Sequence, residues 1–364
     1  MSASQVMKSA EKLPSNLFAM VEPMEHEQVM FFNDPETGLK GIIGVHNTVL
    51  GPSLGGCRIW NYESETDALW DVLRLSRGMT FKSSISGINL GGGKAVILAN
   101  SKAKRDEKYW RRFGQFVDSL NGKYITAEDV GTSTEVMSYV MQETKHVTGK
   151  PESAGGTGDP SPFTAYGVFL GLKASIKQAF GSDSLAGKKV SVQGVGHVGY
   201  YLVKHLTNEG AKVFVADINQ QNLDAVVRDF GATVVGTHEI YDIDTDVYAP
   251  CALGATVNTD TISTLKCAVI AGAANNQLAD ETIHGNLLKD KGILYAPDFL
   301  INAGGVINCY REVHNLSEQE ANALIEGIYE RTLGIFARAS AENISTQEAA
   351  IKIAVERINS SKAN

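Results

Sequence analysis

KVSVQGVGHVG (189–199) reads as a short apolar strand that runs into Gly-x-Gly-x-x-Gly and opens a helix. Gly194 permits the tight turn, Gly196 lets backbone approach a pyrophosphate, and Gly199 lets the helix sit close to the sheet. The helix N-terminus adds free N–H groups and the positive end of a dipole. Alone the pattern is weak, because a tight strand–helix turn without ligand would also satisfy it. Its context strengthens it. The next strand ends in Asp217, eighteen residues after Gly199, where a carboxylate can hydrogen-bond ribose hydroxyls. That charge would repel a 2′-phosphate, and no Arg or Lys follows directly in DINQQ (217–221). NAD rather than NADP is therefore expected, on Gly194, Val195, Gly196, Gly199 and Asp217. His197 fills a variable position and is assigned no chemistry.

Around this stretch, short apolar strands alternate with helices. LysValSerVal (189–192), LysValPheValAla (212–216), AlaThrValVal (232–235), AspValTyrAla (246–249), AlaValIleAla (268–271) and GlyIleLeuTyrAla (292–296) predict a Rossmann-type, doubly wound parallel sheet. Ligands of such sheets collect at the carboxyl ends of the strands. Those ends carry small residues and the amides Asn275 and Asn302. Asn275 is a candidate for the nicotinamide ribose or carboxamide, with loop capping as the plain alternative. SerGluGlnGlu (317–320) and SerThrGlnGlu (345–348) read as capping boxes opening two last helices.

The N-terminal part reads differently. The first sixteen or so residues are polar, a tail or short helix. Segments 29–33 and 39–46 flank AspProGluThrGly and predict a hairpin. Helices over 66–77 and 110–120 and strands over 93–98 and 123–127 make a mixed α/β domain. From Pro151 to Pro162 the composition turns to Pro, Gly, Ser and Thr, a hinge signal. Two domains are expected: 1–150, joined by a C-terminal helix over 345–364, for substrate binding and oligomerisation, and 151–344 for NAD. A cleft that closes to exclude water goes with that layout.

The 364 residues exceed most single cores. A formal charge of −8 argues against a nucleic-acid partner. No apolar run reaches membrane-spanning length, and the first ten residues lack the apolar core of a secretory signal. Four scattered cysteines make no Cys-x-x-Cys, so a reduced, cytoplasmic setting without disulfides or zinc is expected. Cys309 is either pocket lining or a small buried apolar residue.

The chemistry is concentrated in RGMTFK (77–82) and GGGK (91–94), which place Lys82 and Lys94 twelve positions apart around a glycine-rich turn. The phosphate-binding P-loop reading fails: counted from Gly87 the lysine falls one residue late, and Ala95 stands where Ser or Thr is required. The better reading gives one lysine a substrate carboxylate and the other a proton-transfer role. A lysine beside another cation and partly desolvated loses pKa and becomes a usable base. Asp129, at the end of a predicted strand, is the candidate carboxylate. Isolated lysines are more often solvated surface charges. Three glycines before an apolar strand are different, because they cost stability unless backbone must pass close to something.

From about Met20 to Asn359 the chain resembles the amino-acid dehydrogenases of the glutamate/leucine/phenylalanine/valine superfamily, nearest to its leucine-type members. The motifs are LGPSLGG (50–56), RGMTFK, GGGK, TAEDVGT (126–132), PSPFTAYGV (160–168), QGVG (193–196), AGAANNQ (271–277) and INAGGVI (301–307). The resemblance implies that Lys82 binds the α-carboxylate, that Lys94 activates water at the 2-position, and that Asp129 shuttles protons to and from nitrogen. It implies nicotinamide contacts for Thr164 and Asn275 and a substrate-side amide in Asn302. Relatives acting on glutamate carry a lysine in the Gly-Pro-x-x-Gly-Gly segment, where this chain has Leu54. A distal carboxylate would sit unpaired there, at several kcal/mol. Leu54, Gly55, Ala127, Val306 and Cys309 then line an apolar pocket. The implied reaction is NAD-dependent oxidative deamination of branched-chain L-amino acids (Leu, also Val and Ile) to 2-oxo acids, NADH and ammonium. Phenylalanine or tryptophan as substrate, and a non-catalytic NAD or amino-acid sensor, are the alternatives. The family also implies a homo-oligomer, dimer or octamer.

Overall fold

The computed structural model describes residues 16–99 and 103–362. The polar stretch 1–15, read above as a tail or short helix, lies outside them. By contacts the chain divides into two compact units. The first comprises Met1–Asp159, Asn308–Ser317 and Val355–Asn364, and the second Pro160–Ile307 and Glu318–Ala354. Among the described residues no helix is long and apolar enough to cross a membrane.

The first unit starts with the short helix α1 (Leu17–Val21) and the antiparallel pair β1 (Gln28–Asp34) and β2 (Leu39–Asn47). In the turn between these strands, one Asp34 carboxylate oxygen accepts from both the backbone N–H and the hydroxyl of Thr37. Then come β3 (Ser53–Trp60), α2 (Glu65–Ile85), β4 (Gly91–Leu98), α3 (Glu107–Asp118), β5 (Tyr124–Glu128) and α4 (Thr134–Val140). Ser64, Asp106 and Ser133 accept backbone N–H bonds at the starts of α2, α3 and α4. The sheet order is β1-β2-β4-β3-β5, with β4, β3 and β5 mutually parallel. Both faces are covered. Ile43, Ala95 and Ile97 pack with Phe113 and Val117, while Ile42 and Val96 pack with Leu69 and Val72. Strand residues one apart therefore enter opposite cores, which explains the unbroken apolar runs at Ile42–Ile43 in β2 and Ala95–Leu98 in β4 where an alternating pattern would otherwise appear.

Two expectations are corrected here. Helix α2 does not end near Arg77 but continues through Gly78 to Ile85, so Lys82 stands on its last turn. The glycines before Lys94 are not a turn but the first three residues of β4. The reason is close approach. A β-carbon at Gly92 would lie 2.1 Å from the Thr80 nitrogen and 2.4 Å from the Ser76 oxygen, so α2 rests directly on the strand there. Near the C-terminus, Arg357 donates to the carbonyls of Ser84 and Ile88 and to the Asn89 side chain, covering the end of α2.

The second unit begins with α5 (Ser161–Phe180) and alternates β6 (Lys189–Gln193), α6 (His197–Asn208), β7 (Lys212–Ala216), α7 (Gln220–Phe230), β8 (Thr233–Val234), β9 (Val247–Pro250), α8 (Thr259–Thr264), β10 (Val269–Ile270), α9 (Glu281–Asp290) and β11 (Leu294–Tyr295). All pairings are parallel, in the order β11-β10-β9-β6-β7-β8. Strand order reverses at β6, beside β9, the switch point at which such sheets bind ligands. After α10 (Asp298–Ile301), α11 (Gly304–His314) is divided between the units at Asn308. Helix α12 (Glu318–Glu342) packs along α5. Ser345 accepts from the Glu348 N–H and starts α13 (Thr346–Lys362), whose end from Val355 belongs to the first unit.

Candidate active site

Lys94 lies on β4, two residues beyond the contact at Gly92 and on the same face. Lys82 lies two residues beyond the matching contact at Thr80 on α2. One helix–strand contact thus brings both lysine-bearing segments together. Lys94 is buried, and its Nζ donates to Asp129 Oδ2 at 2.6 Å. Asp129 follows the last residue of β5, with its N–H donating to Thr132 Oγ1. The two meet across the intervening β3. The register Leu54↔Gly92 and Cys57↔Ala95 on one side, with Gly56↔Ala127 on the other, sets Gly56 between Lys94 and Ala127. A β-carbon at Gly56 would lie 2.5 Å from the Glu128 oxygen and 2.7 Å from the Asp129 β-carbon. Gly55, by the same measure, would reach 1.7 Å from the Gly93 oxygen. Only glycines let β3 pass between its neighbours this closely.

Sequence reasoning missed a third member, Arg58 on β3. Its Nε donates to the same Asp129 Oδ2 at 3.1 Å, and its Nη1 reaches Asp71 Oδ2 at 3.2 Å. Asp71 on α2 is buried and also accepts from the Tyr62 hydroxyl and from Arg74. No strand was expected over 53–60, so an inward arginine there had no signal. Burial lowers the Lys94 pKa from the ordinary lysine range, Asp129 opposes this, and Arg58 adds to it. Burial alone would raise the Asp129 carboxyl, but the Lys94 and Arg58 charges overcome it and hold the group well below the usual carboxylate range.

Leu54 and Ala127 are buried on the face of the sheet that carries Lys94. Cys309, in the part of α11 that belongs to the first unit, has its thiol pushed up to about 12 by burial and is therefore a neutral group. Val306 is buried and belongs to the second unit.

In the second unit, Gly194 takes φ 93°, and a β-carbon at Gly199 would lie 2.2 Å from the Gly194 oxygen. A β-carbon at Gly196, which precedes α6, would meet nothing among the described residues within 4 Å. Protein packing does not require glycine at this position, whereas a phosphate laid on the helix N-terminus would. The Val195 N–H donates to Asp217 Oδ2 at 2.8 Å, joining the loop to the end of β7. Asn302 Nδ2 donates to Asn275 Oδ1 at 2.8 Å and to the Ala273 carbonyl. Asn302 Oδ1 is buried without a partner among the described residues, an acceptor suited to a ligand amide. Thr164 near the start of α5 donates to the Pro160 carbonyl and sits against Gly305.

A parallel sheet of this order with an intact glycine fingerprint, in one chain with a buried lysine–carboxylate pair, defines an α/β oxidoreductase. Residues 26–146 match the Glu/Leu/Phe/Val dehydrogenase dimerisation domain, and residues 155–221 and 215–364 match the Glutamate/Leucine/Phenylalanine/Valine dehydrogenase domain. The leucine dehydrogenase of Thermoactinomyces intermedius is 52% identical over 342 residues, 94% of this chain and 93% of the relative. The L-tryptophan dehydrogenase of Nostoc punctiforme is 47% identical over 346 residues, 95% of this chain and 97% of the relative. A crystal structure of L-tryptophan dehydrogenase from Nostoc punctiforme superposes with a TM-score of 0.84 at 46% identity, covering 95% and 100% of the two chains. The chain belongs to the Glu/Leu/Phe/Val dehydrogenase family and is an amino-acid dehydrogenase.

Proposed function

We propose that this enzyme catalyses reversible oxidative deamination of branched-chain L-amino acids, L-leucine first and also valine and isoleucine. The balance is amino acid, NAD and water giving 2-oxo acid, NADH, ammonium and a proton. The observation that carries the substrate reading is Leu54, buried and apolar on the same sheet face as the Lys94–Asp129 pair. A substrate side chain meeting Leu54 and Ala127 gains from being apolar and loses from being charged. The leucine dehydrogenase relatives agree with this reading.

In this reading Lys82 binds the α-carboxylate as an ammonium. Lys94, as a free amine, takes the proton of the water that attacks the imino carbon. Asp129 carries protons to and from the departing nitrogen. Bound NAD supplies the hydride acceptor. Gly194, Val195, Gly196 and Gly199 would hold its pyrophosphate, Asp217 its adenosine ribose, and Thr164 and Asn275 its nicotinamide end, with Asn302 between cofactor and substrate. The first unit would then be the substrate and oligomerisation domain of a homo-oligomer, and the second the NAD domain.

The tryptophan dehydrogenase likeness supports a second reading, the same chemistry on an aromatic amino acid. One panel separates the two: NADH absorbance with NAD and L-Leu, L-Val, L-Ile, L-Phe, L-Trp or L-Glu at alkaline pH, repeated with NADP. Branched-chain substrates leading with NAD supports the proposal. Aromatic substrates leading retains the chemistry and removes the pocket reading.

A further inference from the structure

The Lys94–Asp129 pair has a charged neighbour. Arg58 touches Asp129 from β3, and its far end is held by Asp71 of α2. Lys94 and Arg58 both bond the same oxygen, Oδ2, at 2.6 and 3.1 Å. When Lys94 turns toward a reacting water, Asp129 keeps a second tether. Charge counting points the same way. Lys94, Arg58 and Arg74 are three cationic groups, and Asp129 and Asp71 are two carboxylates. The cluster carries one excess positive charge with Lys94 protonated and none with Lys94 neutral. Two titratable groups beside the cluster do not alter this sum. Burial keeps the Cys57 thiol protonated, and the Tyr62 phenol, bonded to Asp71, is likewise held neutral. Strand β2 presents Gly44 opposite Lys94, and α2 carries Lys82 near its end.

We infer that Arg58 is a positioning residue for the reaction: anchored on Asp71, it fixes the Asp129 carboxylate and repels a proton from Lys94. The inference rests on Lys94 and Asp129 being the proton-handling pair. Asp71 has the opposite electrostatic effect on Lys94, since its negative charge favours the ammonium. Arg58 and Asp71 therefore make predictions of opposite sign, which a merely structural role would not.

The test compares the wild-type enzyme with Arg58→Met, Arg58→Lys and Asp71→Asn. It measures kcat/KM for deamination against pH and, without substrate, the pH dependence of acetic anhydride labelling at Lys94 by mass spectrometry. With Arg58→Met the acid limb moves to higher pH, so that kcat/KM below the limb falls about tenfold further relative to its own plateau. Labelling of Lys94 shifts the same way. Arg58→Lys returns the limb toward the wild-type position, and Asp71→Asn moves it to lower pH. If Arg58→Met does not fold, the sign of the Asp71→Asn shift decides. Limbs and labelling curves that stay in place while rates fall would overturn the inference. A wild type that turns over no panel substrate removes the substrate reading alone, because the labelling titration still decides the role of Arg58.

Discussion

Lys94 on β4 and Asp129, the residue after β5, are joined by a 2.6 Å bond although those two strands are not neighbours. Strand β3 runs between them, and its side chain at the crossing point is the hydrogen of Gly56. The site therefore depends on an absent side chain as much as on the two that are present.

Replacing Gly56 by alanine should damage stability and rate together. The new methyl would press on the Glu128 carbonyl and the Asp129 β-carbon, neither of which is the end of a flexible chain. Such overpacking costs about 1–3 kcal/mol. Urea unfolding should show that loss, and kcat should fall as Asp129 is displaced. A variant with unchanged stability and full kcat would refute the packing argument.

Lys94→Ala should lower kcat by about 10²–10⁴-fold, the range for losing a positioned acid–base group. Asp129 keeps its bond to Arg58, so the fold should survive by far-ultraviolet circular dichroism. Turnover near the wild-type rate would rule out Lys94 as the base.

The pH dependence has a definite sign. In the proposed mechanism deamination needs the free amine of Lys94, which exists above its pKa. That pKa is lowered, first by burial, so kcat/KM should rise with pH along a limb below the ordinary lysine value of about 10.4. Reductive amination of the 2-oxo acid needs the ammonium and should decline through the same limb. Asp129 is held ionised and adds no limb near neutrality. Pre-steady-state rates in both directions check this, and parallel rather than opposed profiles would contradict it.

Leu54→Ala should cost about 2–5 kcal/mol, as expected for a buried leucine. It should also enlarge the pocket, so that the Leu-to-Trp ratio of kcat/KM falls about tenfold or more. The ratio is the informative quantity, since lost stability alone lowers both activities equally.

Asp217→Ala removes the acceptor of the Val195 N–H and the charge set against a 2′-phosphate. On the proposed NAD reading, the preference for NAD over NADP should fall about tenfold to a hundredfold, the size of one charge-assisted bond. The KM for the amino acid should stay in place. An unchanged cofactor preference would detach Asp217 from the ribose.

Sequence patterns carried the second unit well. Its strands are short apolar runs at regular spacing, and Gly194 to Asp217 has a local spacing that needs no tertiary knowledge. The first unit was less legible where tertiary contacts overrode local preference. Gly78 is a poor helix residue, yet α2 continues through it because Ser76 and Thr80 dock on Gly92. The segment 53–60 follows the turn-type residues Gly51 and Pro52 and holds two glycines, yet it forms a central strand between β4 and β5. Lys94 and Asp129 were legible as candidates, and the structure brings them together. Arg58 was not, because its meaning comes from Asp129, seventy-one positions away.

The bonds from Arg357 to Ser84 at the end of α2 and to Ile88 just beyond it span 273 and 269 positions of sequence. With Asn308–Ser317, they make the first unit a structure interrupted twice by the second. As the chain leaves the ribosome, the helix bearing Lys82 waits for nearly the whole polypeptide before its last carbonyls are covered. Loop-closure entropy grows only slowly with length, so the delay costs time more than stability. A fragment ending at Asp159 would hold every residue of the Lys94 cluster and still lack the pieces that complete its fold. Any cut within the second unit divides the first unit's three segments between two chains, so split-protein designs on this scaffold complete the first unit only when both fragments come together.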